Sequence, residues 1–321
     1  MERRADRSEA RIAYLGPAGT FTEEALASDP ELSALDRVPM ASFEDVLAAA
    51  CEPGTLGFVP IENSIEGSVN ATLDSLVFDH DLLIQREVVL NVHLQLLALP
   101  GTELEAVEEV LTYPVAAAQC RRFLSQHLPS ARLVPATSTA EAARCVSLSE
   151  TPQAAIATAI AGDLYGLEVL ARDIEDHRGN QTRFVAVAAG GIPPATGHDR
   201  TTIVCFQRFD RPGSLLAILE QFAARSINLT RLESRPTKGG LGQYCFVLDL
   251  DGHVEDAMVA DCLRNLHVEL EAVKFLGSYP AAGKEGPARR REAELAWADA
   301  SRWVEGLQAQ IRPGPRPLPR G

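Results

Sequence analysis

What most constrains this chain is the rhythm of residues 11–187, where short β-rich apolar runs alternate with helical stretches. That alternation is the pattern of α/β layers built around largely parallel sheets. Strands are expected at Arg11–Leu15, Leu56–Pro60, Glu87–Leu99, Glu108–Thr112, Arg132–Val134, Ala154–Ala157 and Thr182–Val187. Helices are expected between them at Thr22–Ala27, Ser42–Ala50, Val69–Phe78, Ala116–Leu128, Thr139–Leu148 and Ala159–Tyr165. Ser42 ahead of Glu44 and Asp45, and Ser138 or Thr139 ahead of Glu141, read as N-terminal caps.

The rhythm breaks at Gly190–Arg200, where GGIPPATGHDR gathers glycine and proline without an apolar period, as a linker does. Residues 201–280 then resume in a different order: strand (Thr201–Gln207), helix (Pro212–Arg225), strands (Asn228–Arg235 and Gln243–Leu250), helix (Glu255–Leu266) and strand (Glu269–Leu276). This βαββαβ order is ferredoxin-like. From Ala281 to Gly321 the chain is polar, with a charged helical stretch around Arg289–Gln310 and a proline-rich end, PGPRPLPRG, that no helix can continue. Disorder is expected in those final residues and in residues 1–10. A chain of 321 residues with 46% hydrophobic content thus divides into two or three folded units.

A formal net charge of −14 argues against nucleic acid or an anionic membrane as partner, since both require basic surface. No apolar run approaches the roughly 20 residues that span a bilayer, and MERRADRSEA lacks the apolar stretch of a signal peptide, so a cytoplasmic protein is expected. The 6 cysteines, at 51, 120, 145, 205, 245 and 262, have no metal-ligand spacing and read as reduced, mostly buried thiols.

Three segments carry candidate chemistry. Gly16-Pro17-Ala18-Gly19-Thr20-Phe21 joins a strand to a helix whose first turn holds Glu23 and Glu24. Its glycines let backbone N–H groups approach an anionic ligand, although an ordinary tight turn has the same composition. It is not a phosphate-binding Walker loop, because no Gly-Lys-Ser/Thr follows. Pro60-Ile61-Glu62-Asn63-Ser64-Ile65-Glu66-Gly67-Ser68-Val69 sets Glu, Asn and Ser at the carboxyl end of a strand, where open α/β sheets bind ligands. Helix capping accounts for one or two of these residues. Asn180-Gln181-Thr182-Arg183-Phe184 opens the last strand of the region; an Arg beside a hydroxyl suits a carboxylate and a leaving oxygen, yet alternation puts Arg183 on the face opposite Thr182 and Phe184.

Together, and in this order, the three segments resemble the signatures of prephenate dehydratases, with supporting stretches at Ala118-Gln-Cys-Arg121, Ser138-Thr-Ala-Glu-Ala-Ala143 and Leu164-Tyr-Gly-Leu167. The resemblance implies two α/β lobes like a type II periplasmic binding protein, crossovers near 86–92 and 168–173, and an active site in the cleft between the lobes. It implies decarboxylating dehydration of prephenate to phenylpyruvate without cofactor or metal. Thr182 corresponds to the family's essential threonine; Thr20, Phe21, Asn63, Ser64, Arg183 and Phe184 would line the substrate site, with Glu62 a possible neighbour of Thr182. One departure stands out: Thr112-Tyr113-Pro114-Val115 occupies the place where the family commonly reads Ser-His-Pro-Gln. Arogenate dehydration and non-catalytic small-molecule sensing are the competing readings.

Residues 201–280 resemble an ACT domain of the phenylalanine-sensing kind, through Arg211-Pro-Gly-Ser-Leu-Leu216 and Glu233-Ser-Arg-Pro236. The resemblance implies that Gly213, Ser214, Leu215, Leu216, Glu233, Ser234, Arg235 and Pro236 bind L-phenylalanine as effector, in a homodimer or homotetramer. Read for packing alone, Leu215, Leu216, Leu219 and Phe222 form the core stripe of an amphipathic helix. Ser214 stands where the family commonly has Ala.

Overall fold

The computed structural model describes residues 10–208, 211–237, 243–283 and 288–310; the disorder expected before residue 10 and in the final proline-rich segment lies outside these residues. The chain divides into two compact units, Met1–Pro193 and Pro194–Gly321.

The first unit is built on two sheets. One contains β1 (Arg11–Leu15), β2 (Asp36–Met40), β3 (Thr55–Asn63), the short β4 (Gly67–Ser68), β5 (Leu83–Asn91) and β11 (Gln181–Ala188), in the order β2-β1-β3-β11-β5 with β4 on β3. The other contains β6 (Gln95–Ala98), β7 (Glu109–Thr112), β8 (Arg132–Pro135), β9 (Gln153–Ala157) and β10 (Glu168–Ala171), in the order β10-β6-β9-β7-β8. Both sheets are mixed rather than largely parallel. Pairs β1/β2, β1/β3, β7/β8 and β7/β9 are parallel, whereas β11 runs antiparallel to β3 and β5, and β6 antiparallel to β9 and β10. The antiparallel members are the strands that feed or leave the two passages between sheets, so they run against their neighbours.

The passages themselves fall at residues 92–94 and 172–180. Both lie a few residues beyond the expected crossovers, because β5 continues as a strand to Asn91 and residues 168–171 form the edge strand β10. The run Glu87–Leu99, expected as one strand, is therefore two strands in two sheets. Val92 and Leu94 are buried where the chain crosses, so a strand-like alternation continues through the junction and hides it.

The helices are α1 (Phe21–Ser28), α2 (Phe43–Ala49), α3 (Asn70–Asp74, followed by a wider turn through Asp79), α4 (Pro114–Gln119), α5 (Arg121–His127), α6 (Thr139–Ser147) and α7 (Ala159–Tyr165). Ser42 Oγ accepts from Asp45 N at 3.1 Å and Ser138 Oγ from Glu141 N at 3.0 Å, the expected caps. The single helix expected over 116–128 is divided at Cys120. Asp176, from the return passage, donates its N–H to Gln119 O at 2.6 Å and accepts from Arg122 N at 3.1 Å, which interrupts the helical ladder. Strand β2 escaped sequence reading because Pro39 and its charged neighbours suit only an edge.

Under the first sheet, Ile12, Tyr14, Leu26, Phe58, Val88 and Phe184 form one core; Leu96, Val110, Leu124 and Ile156 belong to another on the second sheet. Phe21 packs against both cores, at the junction of the two lobes.

The second unit is β12 (Asp199–Phe206), α8 (Ser214–Ala223), β13 (Leu229–Pro236), β14 (Tyr244–Asp251), α9 (Ala257–Glu269) and β15 (Ala272–Pro280), an antiparallel sheet in the order β13-β14-β12-β15. The expected βαββαβ order is present. Asp199 and Arg200 belong to β12 rather than to the linker, because the buried Asp199 carboxylate closes a turn on Thr196 N and Gly197 N at 2.9 Å. Within α8 the core stripe is Leu215, Ile218 and Phe222, whereas Leu216 is 59% exposed. At 3.6 residues per turn, position 216 falls about 100° from position 215, off the buried face. A charged helix, α10 (Ala288–Gln308), follows, and its Trp297 and Trp303 are exposed.

Cys120, Cys205, Cys245 and Cys262 are buried free thiols, Cys145 is half-buried and Cys51 is exposed. Burial pushes the thiols of Cys120, Cys205 and Cys262 up to about 12. Iodoacetamide at neutral pH should therefore label Cys51 first and leave those three unmodified until denaturant is added. Peptide mass spectrometry of a labelling time course checks this, and early labelling of Cys205 or Cys262 in the native protein would contradict the packing described.

Candidate active site

The turn after β1 stitches the two lobes together. Gly19 takes φ +88°, which favours glycine, and an added Cβ would lie 3.3 Å from Ala161 of α7. Thr158 Oγ1 donates to Gly19 O at 2.8 Å and Tyr165 Oη donates to Ala18 O at 3.2 Å, both from the second lobe. Thr158 Oγ1 also accepts from Ala161 N at 3.1 Å, so one buried hydroxyl caps α7 and holds the turn. The Gly19 N–H, expected to be open to an anion, is instead taken by Glu23 Oε2 at 2.6 Å. Thr20 is the N-cap residue of α1, and its hydroxyl donates to Leu15 O at 3.4 Å.

The end of β3 lies beside the start of β11, with Asn63 opposite Thr182 in register. Asn63 Oδ1 accepts from the backbone N–H groups of Ile65 and Glu66 at 2.9 and 3.0 Å. These two donors fix the orientation of the carboxamide, since a flipped amide would point N–H at N–H. Its nitrogen must then face the other way, and Asn63 Nδ2 donates to Thr182 Oγ1 and to Asn180 Oδ1, each at 2.9 Å. Ser64 Oγ donates to Asn180 Oδ1 at 3.4 Å and accepts from Gln181 N at 2.9 Å. Asn180 Nδ2 donates to Gln119 Oε1 at 3.3 Å, and Gln119 Nε2 to Glu66 Oε1 at 3.5 Å. A chain of carboxamides thus links Thr182 to the C-terminal end of α4 in the other lobe, with Asn63 donating both to Thr182 and to Asn180. Because Thr182 Oγ1 accepts from Asn63, its own proton is left to be donated elsewhere.

Arg183 and Phe184 are not brought into this network. Arg183 is buried on the opposite face of β11, where Nε meets Glu87 Oε2 at 2.8 Å and Nη1 meets Glu62 Oε2 at 3.5 Å. A guanidinium already paired with two carboxylates has its charge offset, and breaking such a buried pair is costly. Glu62 accordingly faces Arg183, not Thr182. Phe184 is 2% exposed and stacks on Phe58 with ring centroids 5.3 Å apart, inside the core. Sequence reasoning put neither Asn180 nor Gln119 among the site residues, although both lie in segments it had singled out. Their part comes from contacts 61 and 117 positions apart, which no local pattern carries.

In the second unit, Gly213 opens α8 at φ +89° and Ser214 Oγ donates to Arg211 O at 2.7 Å. Glu233 is held by Arg231 Nη2 at 2.6 Å and Arg235 Nη1 at 2.7 Å, both from buried arginines. Its charge is therefore offset within the strand. Ser234 lines a groove of about 770 Å³ with Phe206, Arg208, Tyr244 and Phe246, while Pro236 pairs with Tyr244 on the neighbouring strand.

Residues 12–191 match the prephenate dehydratase family. The prephenate dehydratase of Mycolicibacterium vanbaalenii is 45% identical over 312 residues, covering 92% of this chain and 98% of that protein. That of Mycobacterium tuberculosis is 44% identical over 310 residues, covering 93% and 94%. Among solved structures, the prephenate dehydratase of Arthrobacter aurescens in complex with L-Phe superposes with a TM-score of 0.83 at 40% identity, covering 94% of this chain and 100% of that one. By sequence and by fold, this chain belongs to the prephenate dehydratase family.

Proposed function

We propose that this protein converts prephenate to phenylpyruvate, carbon dioxide and water in phenylalanine biosynthesis, with Thr182 assisting the departing hydroxyl. The observation that carries the role of Thr182 is the locked Asn63 carboxamide, which donates into Thr182 Oγ1 and so frees the threonine proton for substrate.

The chemistry makes modest demands. Breaking the bond to the ring carboxylate releases carbon dioxide and pushes its electron pair into the ring; the ring becomes aromatic as the carbon–oxygen bond opposite breaks and hydroxide leaves. Aromatisation supplies the driving force. The protein has to orient the substrate, stabilise the negative charge growing on the departing oxygen and exclude water. A threonine hydroxyl is too weak an acid to release a free proton, but as a hydrogen-bond donor it strengthens while that charge builds. Donation from Asn63 into Oγ1 polarises the O–H bond and makes Thr182 the better donor. The two sheets joined by two passages serve as the lobes of a type II periplasmic-binding-protein-like catalytic domain, with Asn63, Ser64, Thr20, Phe21 and Thr182 at their junction. Arg183 serves this reading as a buried support of β11 rather than as a substrate anchor.

Residues 201–280 are the ACT-type regulatory domain in this proposal, sensing L-phenylalanine in a homodimer or homotetramer. The βαββαβ sheet, the Gly213 turn and the Ser234 groove support it, as does the L-Phe in the Arthrobacter aurescens structure. Exposed Leu216, Leu232 and Tyr244 favour a surface that association covers.

A cofactor-free assay with prephenate and with arogenate tests the activity; turnover of neither would sink it. Thr182→Ala and the near-isosteric Thr182→Val should lower kcat by at least about a hundredfold with little change in KM, while Thr182→Ser retains substantial activity. Rescue by Val and not by Ser, in folded variants, would remove Thr182 from the mechanism. L-Phenylalanine should inhibit the full chain with a coupling of about 1–3 kcal/mol. A chain ending at Pro193 should stay active and lose that response; equal sensitivity in the shortened chain would overturn the regulatory assignment.

A further inference from the structure

Away from the Thr182 network, one group of metal-ligating side chains converges where the chain passes between the two sheets. His93 lies in the outgoing passage, Asp173 and Glu175 in the returning one. His93 Nδ1 is 3.3 Å from Asp173 Oδ1 and 3.2 Å from Glu175 Oε1, and the three ligand atoms all lie within 4.8 Å of one another. Around a tetrahedral zinc ion with bonds of about 2.0 Å, neighbouring ligand atoms are about 3.3 Å apart. The imidazole and each carboxylate therefore already stand at the edge length of such a site.

Both carboxylates are also held by groups outside the trio, as metal ligands generally are. Glu175 has a side chain 3% exposed, and its second oxygen accepts from Leu94 N at 3.0 Å. Gln95, itself buried, accepts from Asp173 N at 3.2 Å and donates to Asp173 Oδ1 at 3.3 Å. His93 and Asp173 are each 53% exposed, which leaves a path by which an ion enters. Glu24 of α1 is the next acidic group: burial raises its carboxyl above the ordinary range and His93 pulls it back. Charge points the same way. Two carboxylates bring two negative charges to one imidazole, and a divalent ion would offset both. One imidazole nitrogen with carboxylate oxygens suits zinc or cobalt better than magnesium or calcium, which favour oxygen alone.

We propose that His93, Asp173 and Glu175 form a binding site for a divalent transition metal of the zinc class, cross-linking the two passages that join the sheets of the first unit. The alternative is that the imidazole and carboxylates form only a hydrogen-bonded tie. Full-length protein treated with chelator and then freed of it is titrated with zinc chloride in competition with a chromophoric chelator, and separately with cobalt chloride while visible absorption is followed. The expected result is one zinc per chain, weakened at least about tenfold by His93→Gln and by Asp173→Asn. Asparagine tolerates the φ of +51° at position 173, so that variant keeps the backbone. Cys51→Ser should leave binding unchanged; it controls for Cys51 Sγ and His80 Nδ1, 3.7 Å apart. Cobalt should give visible ligand-field bands that both ligand variants lose. No stoichiometric zinc binding, no cobalt bands in the unsubstituted protein, affinity unchanged in the ligand variants, or binding lost in Cys51→Ser would each overturn the proposal.

Discussion

One buried carboxamide ties the first unit together. Asn180 is 3% exposed, and its carbonyl accepts from Val92 N at 2.8 Å, joining the returning passage to the outgoing one. Its side-chain oxygen takes Asn63 and Ser64 from the first lobe, and its nitrogen reaches Gln119 of the second. Few side chains can do this, because a carboxamide alone among uncharged groups offers two acceptor sites and two donors in one plane. An aspartate there would leave Gln119 Oε1 facing a carboxylate. The register that places Asn63 against Thr182 depends on this join, since β11 begins immediately after it.

The same polar joinery explains how two sheets with separate cores behave as one compact unit. At the Gly19 turn, Thr158 and Tyr165 of the second lobe donate to backbone carbonyls of the first; at the other end, Asn180 donates to Gln119 of the second lobe and Gln119 donates back to Glu66 of the first. Between them Phe21 touches both cores. Hydrogen bonds between lobes contribute little net free energy each, but an unmade one that stays buried costs more. They therefore select one arrangement of the lobes while the apolar cores stabilise each lobe separately.

How much of this was legible in the sequence follows from the range of each interaction. Most strands of both units, the caps at Ser42 and Ser138 and the βαββαβ order rest on local pattern and appear within a few residues of expectation, whereas β2, β10 and the break between β5 and β6 do not. Alternation also put Arg183 opposite Thr182 and Phe184 correctly, yet the resemblance grouped all three as lining one site. Sequence adjacency in a signature does not separate a residue that touches substrate from one that supports the strand. The buried partner Glu87 lies 96 positions from Arg183, and His93 lies 82 from Glu175, so neither pairing leaves a spacing to read. The first crossover was displaced for a related reason: buried Val92 and Leu94 in the passage resemble the strand residues on either side.

The departure at Tyr113 bears on what the site can do. Where the family commonly carries an imidazole, this chain places a tyrosine that is 44% exposed at the N-cap of α4. The network around Thr182 is made of neutral amides and hydroxyls, ending at the carboxylate of Glu66, with no imidazole among its described members. A reaction driven by aromatisation tolerates that, because the oxygen departs as charge accumulates and needs a donor whose hydrogen bond tightens along the way, not a group that titrates near neutral pH. In the role proposed for Thr182, the fixed Asn63 carboxamide would answer this need: two backbone N–H groups settle its orientation without substrate, so the threonine hydroxyl is aligned in advance.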